Sequence, residues 1–131
     1  MTHDDVQAWL DRYVAGWATY DPGVIGALFS VDAQYRYHPA DEPVVGRDAI
    51  AAAWITPEGT ASGRDEPGTY AASYRPYAVD GARAVGVGWS RYWTDASRAV
   101  EVSTFDNCFL LEFDGGGRCT SFTEFYRQRG A

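Results

Sequence analysis

The sequence predicts an α+β domain in which three helices of the N-terminal half pack on one face of a curved antiparallel sheet. Three observations carry this. Apolar residues recur at helical spacing in the opening segment, and from Thr69 onward the chain alternates as strands do. Two glycine-bearing turns, Asp80-Gly81 and Asp114-Gly-Gly-Gly117, cut that strand-rich half into successive hairpins. With 46% hydrophobic and 15% aromatic residues among 131, one domain over residues 1–131 has the material for a core.

The elements follow in order. Val6, Trp9, Leu10, Tyr13, Val14 and Trp17 mark the apolar face of a first helix, with Thr2 and Asp5 placed as a capping box. Asp21-Pro22 restarts the chain as an N-cap followed by proline, and Val24, Ile25, Leu28 and Phe29 predict a short second helix. Ala33 to His38 alternates and is stopped by Pro39, which predicts a strand ending in a loop. A third helix is expected from Asp48 to Trp54. Residues 55–68 hold almost nothing that anchors in a core, so they read as a long loop, either a plain surface connection or a lid.

The Asp80-Gly81 turn predicts that Tyr70 faces Arg91, Ala72 faces Trp89 and Tyr74 faces Val87. Ser73, Arg75, Gly86, Gly88 and Ser90 then fall on the opposite face. In the terminal hairpin, pairing Phe113 with Arg118 sets Phe105 against Tyr126, Asn107 against Glu124, Phe109 against Phe122 and Leu111 against Thr120. A carboxyl beside a carboxamide, with aromatic pairs on either side, is poorly solvated. The expectation is a raised carboxyl pKa at Glu124, useful to a general acid or base, with Asn107 orienting it. The other reading is a pocket or core acid satisfied by Asn107 or a neighbouring arginine.

Other side chains are candidates for the same pocket. Tyr37 and His38 are secondary proton donors, although strict alternation sets His38 opposite Tyr35 and Tyr37, and a histidine beside proline also suits a strand edge. Arg91 either pairs with Glu124 or holds an anionic substrate. Tyr35, Trp54, Tyr74, Trp89, Phe109, Phe122 and Tyr126 are expected to divide between core and ligand contacts, while Trp9 and Trp17 pack helices.

Charge narrows the partners. Lys and Arg total 11 against 18 Asp and Glu, a net charge of -7, which repels phosphate backbones and anionic lipid, so neither nucleic acid nor membrane is expected. No apolar run approaches the roughly 20 residues of a membrane span, and the N-terminus lacks the basic and apolar regions of a secretory signal. A cytoplasmic location follows as an expectation, and Cys108 and Cys119, offset along the predicted ladder, are expected to be free thiols there. Two histidines and two separated thiols do not form a zinc or iron ligand set, and no phosphate loop, dinucleotide fingerprint or nucleophile elbow is present. No metal and no cofactor are expected.

The order of elements, with the Trp17 to Asp21 helix end, Tyr35-Arg-Tyr-His-Pro39, Pro43-Val-Val-Gly-Arg-Asp-Ala-Ile50 and the strand from Gly117-Arg118 to Glu124-Phe-Tyr126, resembles the nuclear transport factor 2-like superfamily. The resemblance spans nearly the whole chain and implies a cone-shaped fold. That superfamily includes SnoaL-like polyketide cyclases, limonene epoxide hydrolase, ketosteroid isomerase, scytalone dehydratase and the transport factor, so membership fixes a fold and no single reaction. The resemblance implies that Glu124 lies at the pocket floor, and that Tyr35 and Tyr37 stand where the epoxide hydrolase presents a tyrosine and an asparagine. Trp89-x-Arg91 lies near that enzyme's Arg-x-Asp pair. His38 takes the place of the isomerase's proton-shuttling acid, and Phe109 the place of its second acid. The implied activity is cofactor-free acid-base chemistry on a small apolar or oxygenated molecule, of isomerase, cyclase, dehydratase or hydrolase type. The alternative class is a non-catalytic ligand binder or protein adaptor. Sheet-to-sheet homodimers are also implied, using the face that carries Asp106, Cys108, Leu110, Ser121, Thr123 and Phe125.

Overall fold

The structure, a computed structural model, describes residues 1–55 and 68–130. Three helices, α1 (His3–Thr19), α2 (Pro22–Gly26) and α3 (Arg47–Ile55), accompany a six-stranded sheet. Its strands are β1 (Phe29–Arg36), β2 (Val44–Val45), β3 (Tyr70–Asp80), β4 (Arg83–Trp93), β5 (Glu101–Phe113) and β6 (Cys119–Gln128), in the order β2-β1-β6-β5-β4-β3. All neighbours run antiparallel except β1 and β6. The long loop expected over residues 55–68, with its lid alternative, lies outside the described residues except for Ile55 and Gly68. No helix among the described residues is long and apolar enough to cross a membrane.

Local chemistry explains the helix starts. Thr2 accepts from the Asp5 backbone N–H at 3.1 Å and the Asp5 carboxylate accepts from the Thr2 N–H at 2.9 Å, which completes the capping box. Asp21 caps α2 ahead of Pro22. That helix stops at Gly26, and Phe29, expected in it, begins β1 instead, because the Cys119 N–H takes the Leu28 carbonyl and pairs the chain with β6. β1 in turn ends at Arg36, short of the predicted His38.

The apolar face of α1 lies over the sheet. Val6, Trp9, Leu10 and Tyr13 are buried with Phe29, Tyr35, Trp54, Phe109, Leu111 and Phe122 in one core. The Trp9 indole N–H donates to the Leu28 carbonyl at 2.9 Å, so burial leaves that donor satisfied. Among the described residues the Trp54 indole N–H has no acceptor.

Both hairpins depart from the predicted register. The first turns on Gly81-Ala82, between Asp80 and Arg83, and a bulge between Pro76 and Ala78 then shifts the pairing by one residue. Pro76 has no N–H to give to a ladder, and a bulge accommodates it. A one-residue shift exchanges faces. Tyr74 therefore opposes Gly88, Ala72 opposes Ser90 and Tyr70 opposes Tyr92, while Trp89 and Arg91 turn to the outer face with Ser73 and Ala71. In the terminal hairpin Phe113 pairs with Cys119, so five residues separate the pair instead of the predicted four. A second irregularity beside Thr120 then gives Leu111 with Phe122, Phe109 with Glu124 and Asn107 with Tyr126. Two one-residue shifts amount to two, so beyond the irregularity the side chains keep their predicted faces but move one pair along, whereas Cys119, expected opposite Glu112, pairs with Phe113 and is buried in the core. Cys108 opposes Phe125, and both cysteines are free.

Gly88 is where β4 and β3 need the smallest residue. A Cβ there would run into the Ser73 carbonyl and come within 2.6 Å of Tyr74 Cδ1. Gly88→Ala is expected to cost on the order of 2 kcal/mol or more in denaturant titrations and to alter the near-ultraviolet dichroism of the tyrosines. Gly115→Ala, with nothing within 4 Å of its new methyl, should stay within about 0.5 kcal/mol of the parent.

Candidate functional site

A cavity of about 240 Å³ opens between α1, the end of β1 and the inner face of β3 to β6. Tyr13, Trp17, Tyr37, Tyr70, Tyr74, Tyr92, Phe105 and Tyr126 form its aromatic wall, and Ser90, Asn107 and Glu124 supply its other polar atoms. The hairpin shifts decide this list. The even shift in β5 and β6 keeps Asn107 and Glu124 on the inner face as diagonal neighbours, and the odd shift in β3 and β4 brings Ser90 inside in place of Trp89.

The polar groups form a chain. Ser90 Oγ donates to Asn107 Oδ1 at 3.0 Å, and Asn107 Nδ2 donates to Glu124 Oε2 at 2.6 Å. The Tyr74 hydroxyl hydrogen-bonds with Ser90 and with Tyr70, which extends the chain toward Tyr70. Asn107 thus has its carbonyl fixed by Ser90 and its amide aimed at the carboxylate. Burial pushes the Glu124 carboxyl from its ordinary 4.5 up to about 7, while the Asn107 hydrogen bond opposes the rise. Burial likewise raises the Tyr74 phenol, and the phenols of Tyr13 and Tyr35, hydrogen-bonded to each other at 3.2 Å, are held well above their ordinary value by burial first, then by Tyr35 and Glu124 for Tyr13 and by Glu124 for Tyr35, whose hydrogen bond with Tyr13 opposes the rise.

The predicted site residues separate into three groups. Glu124, Asn107, Tyr37, Tyr74 and Tyr126 line the cavity. Tyr35, Trp54, Phe109 and Phe122 lie behind it in the core, where Tyr35 and Phe122 stack at 4.3 Å with planes 3° apart. Three others lie elsewhere. His38 is exposed, with Nδ1 accepting from the Ala40 N–H at 3.3 Å, because β1 ends before it and the chain turns at Pro39. Trp89 and Arg91 are on the outer face, where the Arg91 guanidinium sits over the Trp89 ring and pairs with Glu101 at 2.9 Å, so that among the described residues no arginine pairs with Glu124. The predicted Arg91 pairing with Glu124 is thereby corrected, the cause being the bulge beside Pro76.

Sequence reasoning missed Ser90, Tyr13, Trp17, Tyr70, Tyr92 and Phe105 as cavity residues. Pro76 was the available signal for the first, since a proline inside a long strand marks an edge or a bulge. Among the described residues no group of three His, Cys, Asp or Glu side chains is placed to hold a metal ion. Neither protein-family models nor curated proteins give a match to this chain.

Chemically, the site offers a carboxyl poised near neutrality, an amide that orients it and hydroxyl groups in an aromatic enclosure. The carboxyl resonance of Glu124 is expected to titrate near 7 in carbon-13 NMR, and Asn107→Leu, which removes the opposing hydrogen bond, should move it higher. The stability consequence has a definite sign. Because the native state holds its proton up to about 7 and the unfolded chain releases it near 4.5, stability falls as pH rises through that window, by on the order of 3 kcal/mol. Glu124→Gln should therefore melt higher than the parent above about pH 7, and this advantage should shrink toward about pH 5, as followed by thermal melts.

Proposed function

We propose that the chain is a nuclear transport factor 2-like, SnoaL-like domain acting as a cofactor-free acid-base enzyme on a small, largely apolar, oxygenated molecule. The observation that carries this reading is Glu124: a carboxyl at a cavity wall, raised to about 7 by burial, with no arginine against it among the described residues and with Asn107 holding one oxygen at 2.6 Å. A carboxylate needed only for stability would be better served by a cation or a capped helix, as Asp106 is by Arg129 at 2.8 Å. A group with its pKa near the working pH takes and returns protons with the least penalty in either direction. The three helices on one face of a mostly antiparallel sheet support the family reading, as does the position of Glu124 on the last strand.

In this mechanism Glu124 removes a proton from a carbon beside a carbonyl, or delivers one to a leaving oxygen. Asn107 fixes the carboxyl so that its other oxygen faces the cavity, and the tyrosine hydroxyls donate to the substrate oxygen as charge builds on it. The aromatic wall excludes water and keeps the base poorly solvated. His38 is not part of this machinery. The remaining proposals from the sequence are a cytoplasmic setting and a two-fold dimer.

A bicyclic ketone such as β-tetralone, dissolved in deuterium oxide, gives the test. Exchange at the carbon beside the carbonyl should exceed the buffer rate, rise with pH through about 7, and drop by about two orders of magnitude in Glu124→Gln. Exchange no faster than in buffer, or unchanged in Glu124→Gln, removes the enzyme reading and leaves a non-catalytic binder.

The dimer proposal rests on the outer sheet face, where Leu110 is 45% and Phe125 44% exposed and no helix of the described residues packs. One such patch closes on its own copy about a two-fold axis. Sedimentation at micromolar concentration should show a dimer that Phe125→Arg dissociates. A monomer throughout rules it out.

A further inference from the structure

The charge inventory of the cavity is one-sided. Among the described residues its wall holds one carboxyl group and no arginine or histidine, and the chain contains no lysine at all. Among the described residues the groups facing Glu124 are neutral. They are Tyr13 from α1, Tyr35 from β1, Tyr37 just after it, Tyr74 from β3, Ser90 from β4 and Asn107 from β5. The phenols of Tyr13, Tyr35 and Tyr74, all raised by burial, supply no competing negative charge near neutrality.

The outer end of the cavity continues as a chain of rings. Tyr70 meets Tyr92 at 5.3 Å, Tyr92 meets Phe105 at 6.0 Å edge-on, and Phe105 meets Tyr126 at 5.7 Å edge-on, with Tyr126 half exposed. Rings set edge to face around an opening present their negative faces in several directions, an arrangement that attracts a positively charged group. A carboxylate or phosphate on a ligand would find no cation among the described residues of the wall and would meet Glu124 instead. An uncharged ligand would displace water from the ionised Glu124 and return nothing to it. A protonated amine offers both groups what they lack, ring-face contact and a charge-assisted hydrogen bond to the carboxylate.

We propose that this cavity selects ligands bearing a protonated amine on a small apolar body, with the ammonium held between Glu124 and the aromatic wall. The inference shares with the acid-base reading only the premise that Glu124 faces an accessible cavity, and it does not require turnover. Amine preference without ketone exchange leaves it standing alone, and exchange without amine preference removes it alone.

Three isosteric probes decide it by titration calorimetry: naphthylmethylamine, naphthylmethanol and naphthoate. At about pH 8 the amine should bind at least tenfold tighter than the alcohol, and naphthoate most weakly. Between about pH 6 and 8 the amine's affinity should rise by about tenfold as Glu124 ionises, with the alcohol's unchanged or falling. Glu124→Gln should abolish the preference while folding normally by circular dichroism. Tyr126→Leu, at a half-exposed position, provides a second variant and should weaken the amine more than the alcohol. Equal or tighter binding of the alcohol or naphthoate, a preference that survives Glu124→Gln, or no heat from any probe at millimolar concentration overturns the proposal.

Discussion

The insertion of Tyr13 from α1 into the concave face of the sheet is the contact on which both the core and the cavity depend. Its ring lies within 6 Å of Trp9, Trp54, Tyr74, Phe109 and Phe122, and its hydroxyl meets that of Tyr35. An apolar body with a polar tip can do this only where the tip finds a partner, and Tyr35 on β1 is that partner. The same ring forms part of the cavity wall. Core and site are therefore one packed layer seen from two sides, and a change in either is transmitted through interiors that have little free volume.

Much of the architecture was legible because it is local. The capping box and the Asp21-Pro22 start are each decided by a few neighbouring residues and appear where expected, and the glycine-bearing segments do reverse the chain, although each hairpin closes on a different pair from the predicted one. What defeated the reading was the backbone irregularity between turn and site. In β5 and β6 two irregularities restored the facing of Asn107 and Glu124, so the central pair survived an incorrect register. In β3 and β4 a single bulge did not, and Trp89 and Arg91 changed places with Ser90. Tyr35 and Tyr37 show a second limit. Tyr35 lies in β1 and Tyr37 just past its end, with rings 4.7 Å apart, yet one is fully buried and the other lines the cavity. Depth along the opening separates them, and depth is set by α1 and β6, both distant in sequence. The parallel pairing of β1 with β6, which brings those two tyrosines alongside the strand of Glu124, joins the two ends of the chain and has no local signal.

The acids of this chain divide by what surrounds them. Asp5 sits at a helix start and Asp95 accepts from Ser97, and each is held below the ordinary carboxylate range by hydrogen bonds. Asp106 is held down by Arg129. Glu124, by contrast, is pushed upward, because the hydrogen bond from Asn107 does not offset the water it has lost. The burial that builds the cavity thus acts against the charged form of this carboxyl.

The two indoles at the edge of this layer have an optical consequence. Trp17 and Trp54 stack at 4.3 Å with planes only 16° apart, Trp17 on the cavity wall and Trp54 behind it. Transition dipoles held that close couple, so the pair absorbs and emits as a unit whose signal depends on the angle between the rings. A ligand that presses on Trp17 alters that angle before it disturbs any strand, and the protein carries its own spectroscopic gauge of whether the cavity is full.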